Sequence, residues 1–148
     1  MKNVIKLSLI VFISVFIISC KKDDPAPAPV ADPTITFKAV MTGANEVPGN
    51  ASTASGTATL VFDTTTKIFT VTITYTGVTA TASHIHKAAA GTNGSVVYPF
   101  TNLASPIIYT SIALTAAQEA DLRGNLNYAN IHSATYPGGE IRGQLIKQ

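Results

Sequence analysis

The segment Lys67-Ile-Phe-Thr-Val-Thr-Ile-Thr-Tyr-Thr76 has the clearest periodicity in the chain. Its aromatic and aliphatic residues alternate with threonines, the pattern of a strand with one buried and one solvated face. Threonine suits the solvated face because its branched side chain packs on a pleated surface without adding charge. Residues 56–63 alternate in the same way, and residues 63–67 are short enough to join the two as a hairpin. Antiparallel pairing of these two strands is therefore expected.

Six further stretches favour strands, and turn-forming residues separate them. These stretches are residues 34–42, 82–87, 95–100, 107–113, 126–133 and 140–146. One segment differs, because Thr115 and Gln118 form a capping box before a run of helix formers that ends at Gly124. The sequence thus predicts one short helix near residues 115–124. About eight strands in so short a chain are typical of an antiparallel sandwich or barrel.

Composition excludes several classes of protein. The chain has 148 residues, which suits one domain, and only 12% of them are charged, against roughly 25% in an average domain. With 10 basic and 8 acidic residues it lacks the strong basic face of a nucleic-acid-binding protein. The single cysteine, Cys20, excludes an intramolecular disulfide and a multi-cysteine metal site.

Residues 1–19 have the pattern of an export signal. Lys2 and Lys6 precede an apolar run shorter than the roughly 18 to 20 residues that a spanning helix needs. The sequence Ile17-Ile18-Ser19-Cys20 resembles a bacterial lipobox. The resemblance implies cleavage before Cys20 and acylation of that residue, for example by palmitate, on its sulfur and its new amino terminus. Several acyl chains on one residue give stable anchoring, so the lipid bilayer is an expected partner.

Residues 20–33 predict an extended tether. Lys21-Lys22-Asp23-Asp24 is followed by alternating proline and alanine, which keeps a chain solvated and extended. The four charges resemble a surface-export tag of Gram-negative lipoproteins. An outer-membrane location is expected, and both the cell surface and the periplasmic face stay open. Residues 34–148 are then the folded domain.

Five separated motifs resemble the CHRD (chordin-type) domain in order and spacing, over roughly residues 36–146. The motifs are Glu46-Val-Pro48, Ser83-His-Ile-His86, Gly91-Thr-Asn-Gly94, Tyr128-Ala-Asn-Ile-His132 and Gly139-Glu-Ile-Arg-Gly-Gln-Leu145. The resemblance implies an extracytoplasmic module. We expect an antiparallel, immunoglobulin-like β-sandwich or barrel of about eight strands with one short helix. The expected function is non-enzymatic, a binding or structural module for an unidentified protein or small-molecule ligand, with no catalytic residue.

The three histidines of the chain are candidate metal ligands. His84 and His86 are two apart on a predicted strand and leave the same face, while His132 shares the face of Asn130 on another. If the two strands are neighbours, the three imidazoles could hold Cu or Zn. His-x-His on such a strand also resembles part of the copper site of Cu/Zn superoxide dismutases, so the alternative function is a metal-binding, redox-active protein. Alternatively, the rings hydrogen-bond backbone and hold the 91–94 turn, or act as a pH switch.

Three further charged residues and Asn130 are candidates for structural or recognition roles. Glu140 and Arg142 are two apart and are expected on one face. They form either a recognition pair, with the carboxylate able to orient an imidazole, or an ion pair or backbone-bonded corner that fixes the last strand. Glu46, just before Val47-Pro48, is expected in a rigid loop rather than as an acid catalyst.

Overall fold

Nine strands and one α-helix make up residues 32–148, the part of the chain that the computed structural model describes. The predicted signal peptide, the Cys20 lipidation site and the tether up to residue 31 lie outside the described residues. In chain order the elements are β1 Thr34–Thr42, a 3-10 turn Gly43–Asn45, β2 Ser55–Asp63, β3 Phe69–Thr76, β4 Ala80–Lys87, β5 Ser95–Pro99, β6 Ile107–Thr110, α1 Ala116–Arg123, β7 Asn127–Ser133, β8 Ile141–Gln144 and β9 Ile146–Lys147.

The strands form one antiparallel sheet in the order β5-β4-β7-β8-β1-β2-β3-β6, with β9 beside β1. The sheet curls, so that its two ends face each other across the interior. Phe69 of β3 packs edge-on against Tyr98 of β5 with 5.0 Å between ring centroids. Phe100, just after β5, lies 5.0 Å from Tyr109 of β6. The all-β, antiparallel prediction with one short helix is confirmed, and its form is a curled sheet, or half-barrel.

Period-two alternation decides which side chains fill the interior of the curl. The aromatic and aliphatic residues of β3 up to Ile73 are buried, whereas the threonines between them lie on the outer face. Threonines of neighbouring strands bond each other there: the Oγ1 atoms of Thr57 and Thr74 are 3.0 Å apart, as are those of Thr70 and Thr110. The hydroxyls thus satisfy one another on a face that carries little charge.

Helix α1 begins where the capping box predicts. The amide of Gln118 donates to Thr115 Oγ1 at 3.3 Å, and the Thr115 amide donates back to Gln118 Oε1 at 2.9 Å. The chain leaves the helix at Gly124, whose N–H donates to the Ala120 carbonyl. The predicted helix is therefore confirmed with both of its ends. Within residues 32–148, no helix has the length and hydropathy needed to cross a membrane.

Two predicted strands differ from the observed ones by more than two residues or by a division. Strand β6 stops at Thr110, opposite Thr70. At the next position the Ser111 N–H still donates to the Phe69 carbonyl, but the Phe69 N–H donates to Ser111 Oγ instead of a backbone carbonyl. The last predicted strand, residues 140–146, divides into β8 and β9 at the buried Leu145. Strand β8 pairs with β7 and also with β1, whereas β9 pairs with β1, so the pairing with β7 ends at that residue.

Candidate metal centre

Strands β4 and β7 are direct neighbours, which is the condition for the three histidines to meet. On β4, His84 and His86 lie on the outer face of the sheet, because Ile85 between them is buried in the interior. His132 of β7 pairs with Ala82, two residues before His84, and also faces outwards. The pairing therefore places all three imidazoles on one face of two adjacent strands.

The three rings form a close cluster. One ring nitrogen from each of His84, His86 and His132 lies within 4.8 Å of the others. The Nε2 atoms of His84 and His132 are 2.9 Å apart. The His84 ring centroid is 4.5 Å from that of His86 and 4.7 Å from that of His132. Because all three side chains are half-buried, the cluster keeps a route to solvent.

Backbone carbonyls orient two of the rings. His86 Nδ1 lies 2.8 Å from the Gly94 carbonyl, and His132 Nδ1 lies 2.9 Å from the Pro137 carbonyl. A carbonyl only accepts, so each Nδ1 carries the proton of its neutral ring and each Nε2 keeps a lone pair. In the hydrogen bond between His84 and His132, His84 Nε2–H is therefore the donor and His132 Nε2 is the acceptor. His86 thus holds the 91–94 turn through the Gly94 carbonyl, as expected if the rings bond backbone, whereas His84 forms a hydrogen bond with the His132 ring.

The surroundings of His84 and His86 favour the neutral forms of these two rings. Burial, together with smaller contributions from repulsion by His86 and His132, lowers the pKa of His84 from 6.5 to about 4. Burial also lowers the pKa of His86, against the hydrogen bond to the Gly94 carbonyl and the influence of the Asn130 side chain, which raise it. His84 is therefore uncharged at pH 7, which is the form in which an imidazole binds a metal ion.

Tyr128 and Arg142 extend the cluster as a stack along the outer face. The Tyr128 ring lies parallel to that of His86, with 4.6 Å between centroids and 6° between planes. On its other side, the guanidinium carbon of Arg142 is 3.4 Å from the Tyr128 ring centroid. Arg142 is only 2% exposed, so this cation–π contact helps to compensate a buried positive charge.

A loop of residues 88–94 covers this part of the outer face. Arg142 holds it with two hydrogen bonds, to the Thr92 carbonyl at 2.5 Å and to Asn93 Oδ1 at 3.0 Å. At Gly94 the loop comes so close to β4 that a Cβ atom would overlap the strand backbone. The loop therefore depends on a glycine at its end and on a buried arginine beneath it.

Glu46 lies in a loop, as expected, but its carboxylate is buried. It is 7% exposed, and its Oε1 has no hydrogen-bond partner among residues 32–148. Gly139 lies against it with φ +134, and a Cβ there would overlap the carboxylate. Burial raises the pKa of Glu46 from 4.5 to about 7, against the attraction of Arg142 and a hydrogen bond from the Val47 backbone.

Replacing Glu46 with Gln is expected to flatten the dependence of stability on pH. Between pH 4.5 and about 7 the folded state holds a proton that the unfolded state releases. The free energy of unfolding therefore falls as the pH rises, by up to about 1.4 kcal/mol per pH unit. Glu46→Gln should match the wild type near pH 4 and exceed it at pH 8 by on the order of 2 kcal/mol. Urea unfolding at pH 4, 6 and 8 measures the difference.

Subtracting the pH profile of Glu46→Gln from that of the wild type isolates the contribution of Glu46. The lowered pKa of His84 makes the free energy of unfolding rise with pH, but it does so equally in both proteins and therefore cancels. A wild-type profile parallel to that of Glu46→Gln over the whole range would show that the carboxylate is not buried as described.

Glu140 and Arg142 do not pair with each other, which corrects one expectation. The ion pairs found in residues 32–148 involve other side chains. Strand β8 begins at Ile141, so Glu140 lies in the preceding turn, where its Oε1 accepts a hydrogen bond from Ser52 Oγ at 2.8 Å. The two charged residues therefore fix two separate loops instead of forming one recognition pair.

Tyr128 and Gln144 also lie on this outer face, and the sequence predicted no role for either of them. Strand alternation could have placed them on this face. Tyr128 precedes Asn130 and His132 by steps of two, and Gln144 follows Arg142 by two, so each shares a strand face with a candidate residue. Buried side-chain atoms that lack a hydrogen-bond partner in residues 32–148 also belong to this region. They are Glu46 Oε1, His86 Nε2, Asn130 Oδ1 and Gln144 Oε1.

The sequence profile of the CHRD domain matches residues 37–145, from β1 to the end of β8. No curated protein matches the chain significantly, and neither does any solved structure. The matched range contains the three histidines and the loops that cover and orient them. The chain therefore belongs to the CHRD domain family.

Proposed function

We propose that this CHRD domain binds a Cu²⁺ or Zn²⁺ ion through His84, His86 and His132. The observation that supports it is the convergence of the three rings, with Nδ1 of two of them bonded to backbone carbonyls. Such outer bonds orient ligand imidazoles and leave the Nε2 lone pair for the metal. Imidazole suits both ions, and the general order of affinities places Cu²⁺ above Zn²⁺.

The spacing of the rings is close to what an ion requires. Nitrogen ligands at about 2.0 to 2.1 Å from a tetrahedral Zn²⁺ lie roughly 3.3 Å from one another. The Nε2 atoms of His84 and His132 are 2.9 Å apart, and the widest separation within the cluster is 4.8 Å. Modest side-chain rotations therefore suffice. Binding would also move the proton of His84 from Nε2 to Nδ1, because its Nε2 now donates to His132.

A second candidate, a purely structural cluster, is favoured by the same hydrogen bonds. His86 ties the end of the 88–94 loop to β4, and His132 ties the Pro137 turn to β7. In this case the rings act as hydrogen-bonding groups and the domain is a metal-free binding or structural module. The two candidates differ in one respect: whether His86 Nε2, which is buried and has no hydrogen-bond partner in the described part of the chain, acquires one when metal is added.

Metal titration of the full chain in detergent distinguishes the two candidates. We expect one Zn²⁺ or Cu²⁺ per chain, and a stabilisation of about 2.7 kcal/mol at a free ion concentration of 100 times Kd. His86→Ala and His84→Asn should each lower the affinity about 100-fold or more, because each removes a ligand. Thr81→Ala, on the same strand, is the control and should leave the affinity unchanged. Wild-type protein that neither retains nor is stabilised by either ion would favour the structural candidate.

We further propose that the domain is held at the outer membrane by acyl chains on Cys20. The lipobox-like sequence Ile17-Ile18-Ser19-Cys20 and the proline- and alanine-rich residues after it support this location. The tether would separate the folded domain from the lipid surface, at the cell surface or at the periplasmic face. A metal-binding domain so placed would meet ions before they reach the inner membrane.

A further inference from the structure

Asn130 lies at the centre of the histidine face. In the sheet it pairs with His84 on β4 and with Arg142 on β8, and it points outwards between them. The residue is only 2% exposed. Its backbone carbonyl accepts a hydrogen bond from Ser83 Oγ at 2.8 Å, so the main chain at this position is satisfied. The side chain is therefore a buried amide on the floor of the cluster.

The amide oxygen of Asn130 has no partner among residues 32–148, and neither has the adjacent Nε2 of His86. Asn130 pairs directly with His84, and it shares its strand face with Tyr128, the strand partner of His86, so its side chain lies on the same face as both imidazoles. Because His86 Nδ1 carries the ring proton for the Gly94 carbonyl, its Nε2 is an acceptor, as is Oδ1. A buried acceptor without a donor costs roughly 1 to 3 kcal/mol. Two neighbouring acceptors cannot satisfy each other, but a cation between them satisfies both.

We propose that Asn130 Oδ1 is the fourth metal ligand, completing a site of three imidazole nitrogens and one amide oxygen. This inference rests on the proposed function. Four protein ligands would close the coordination sphere, as in sites that hold an ion firmly, whereas catalytic sites keep a position open for water or substrate. The amide oxygen is a hard ligand and favours Zn²⁺ and Cu²⁺ over Cu⁺. The site would therefore sequester divalent ions rather than activate a substrate.

Gln144 provides a matched control for Asn130. Its amide oxygen on this outer face is also buried and finds no hydrogen-bond partner within residues 32–148. However, Gln144 pairs with Tyr128 from β8, whereas His86 pairs with Tyr128 from β4, on the opposite side of β7. Its amide nitrogen donates to the Ala88 and Asn125 carbonyls. Removing this amide disturbs the covering loop without touching the proposed ligand set.

The test compares Asn130→Ala, Asn130→Asp and Gln144→Ala with the wild type in the full chain. Asn130→Ala is expected to lower the Zn²⁺ affinity at least tenfold and to change the visible spectrum of the Co²⁺-substituted site, because water replaces Oδ1. Asn130→Asp restores an oxygen ligand and should bind at least as tightly as the wild type. Gln144→Ala should retain both the affinity and the spectrum.

Several outcomes would overturn the assignment. Unchanged affinity and spectrum in Asn130→Ala, with the wild type binding one ion, would exclude Asn130 as a ligand and leave the three-histidine site intact. Equal losses in the Ala and Asp variants would show that Asn130 only positions His86, with its amide nitrogen donating to Nε2. A wild type that binds no ion would overturn both this inference and the proposed function.

Discussion

Replacing Arg142 with Ala is expected to lower the free energy of unfolding by about 3 to 5 kcal/mol, because it removes two buried hydrogen bonds from a charged donor, each of which contributes roughly 1.5 to 3 kcal/mol. Arg142 is 2% exposed and donates to the Thr92 carbonyl and to Asn93 Oδ1. Its loss leaves both acceptors without their donor, removes the cation–π contact with Tyr128 and opens a cavity beneath the covering loop. Relief of the buried charge offsets only part of this loss.

Arg123 is the matched control, because it is the other arginine of the chain and lies on the surface of α1. Its side chain is 37% exposed and pairs with Glu119 four residues earlier. Arg123→Ala should therefore cost about 1 kcal/mol or less. Urea unfolding and melting temperatures measure both variants. A loss from Arg142→Ala no larger than that from Arg123→Ala would mean that Arg142 does not hold the loop.

Replacing Phe69 with Ala should have an effect of similar size, about 3 to 5 kcal/mol. Phe69 is 1% exposed and packs against Tyr98 and Tyr109 with centroid distances of 5.0 and 6.0 Å. It thereby joins β3 to β5, which lie near opposite ends of the sheet path. Its removal leaves a cavity at the place where the curl closes, and the neighbouring strands cannot fill it because each is held in register.

Two variants calibrate this result. Phe69→Leu retains most of the apolar volume and should cost about 1 to 2 kcal/mol. Val61→Ala removes a side chain that is 40% exposed on the outer face of β2, and it should cost about 0.5 kcal/mol. If Phe69→Ala were no more destabilising than Val61→Ala, the two ends of the sheet would not meet as described.

Local features of the fold could be predicted from the sequence. The bounds of β1 agree at both ends with residues 34–42, and the capping box places the start of α1, because both depend on neighbouring residues. The order of strands depends on distant pairs, such as β4 with β7, and no local pattern predicts those. The division at Leu145 has the same origin, since it reflects the end of the pairing with β7.

The site shows the same limit. Alternation predicts that His84 and His86 share a face, and that His132 and Asn130 share another strand face. Whether the two faces meet depends on β4 and β7 being neighbours, which only the structure shows. The bonds of Arg142 to a loop about 50 residues earlier, and the burial of Glu46 beneath Gly139, are contacts between segments with no periodic relation.

The imidazole nitrogens provide the most direct test of metal binding, because the chain has three histidines and all three lie in the cluster. Long-range ¹H–¹⁵N correlation spectra of the full chain in detergent would resolve the state of each ring. Without metal, we predict protons on Nδ1 of His86 and His132 and on Nε2 of His84. With one equivalent of Zn²⁺, all three Nε2 signals should shift to metal-bound positions while His86 and His132 keep their Nδ1 protons. Spectra that do not change with Zn²⁺ would contradict the account.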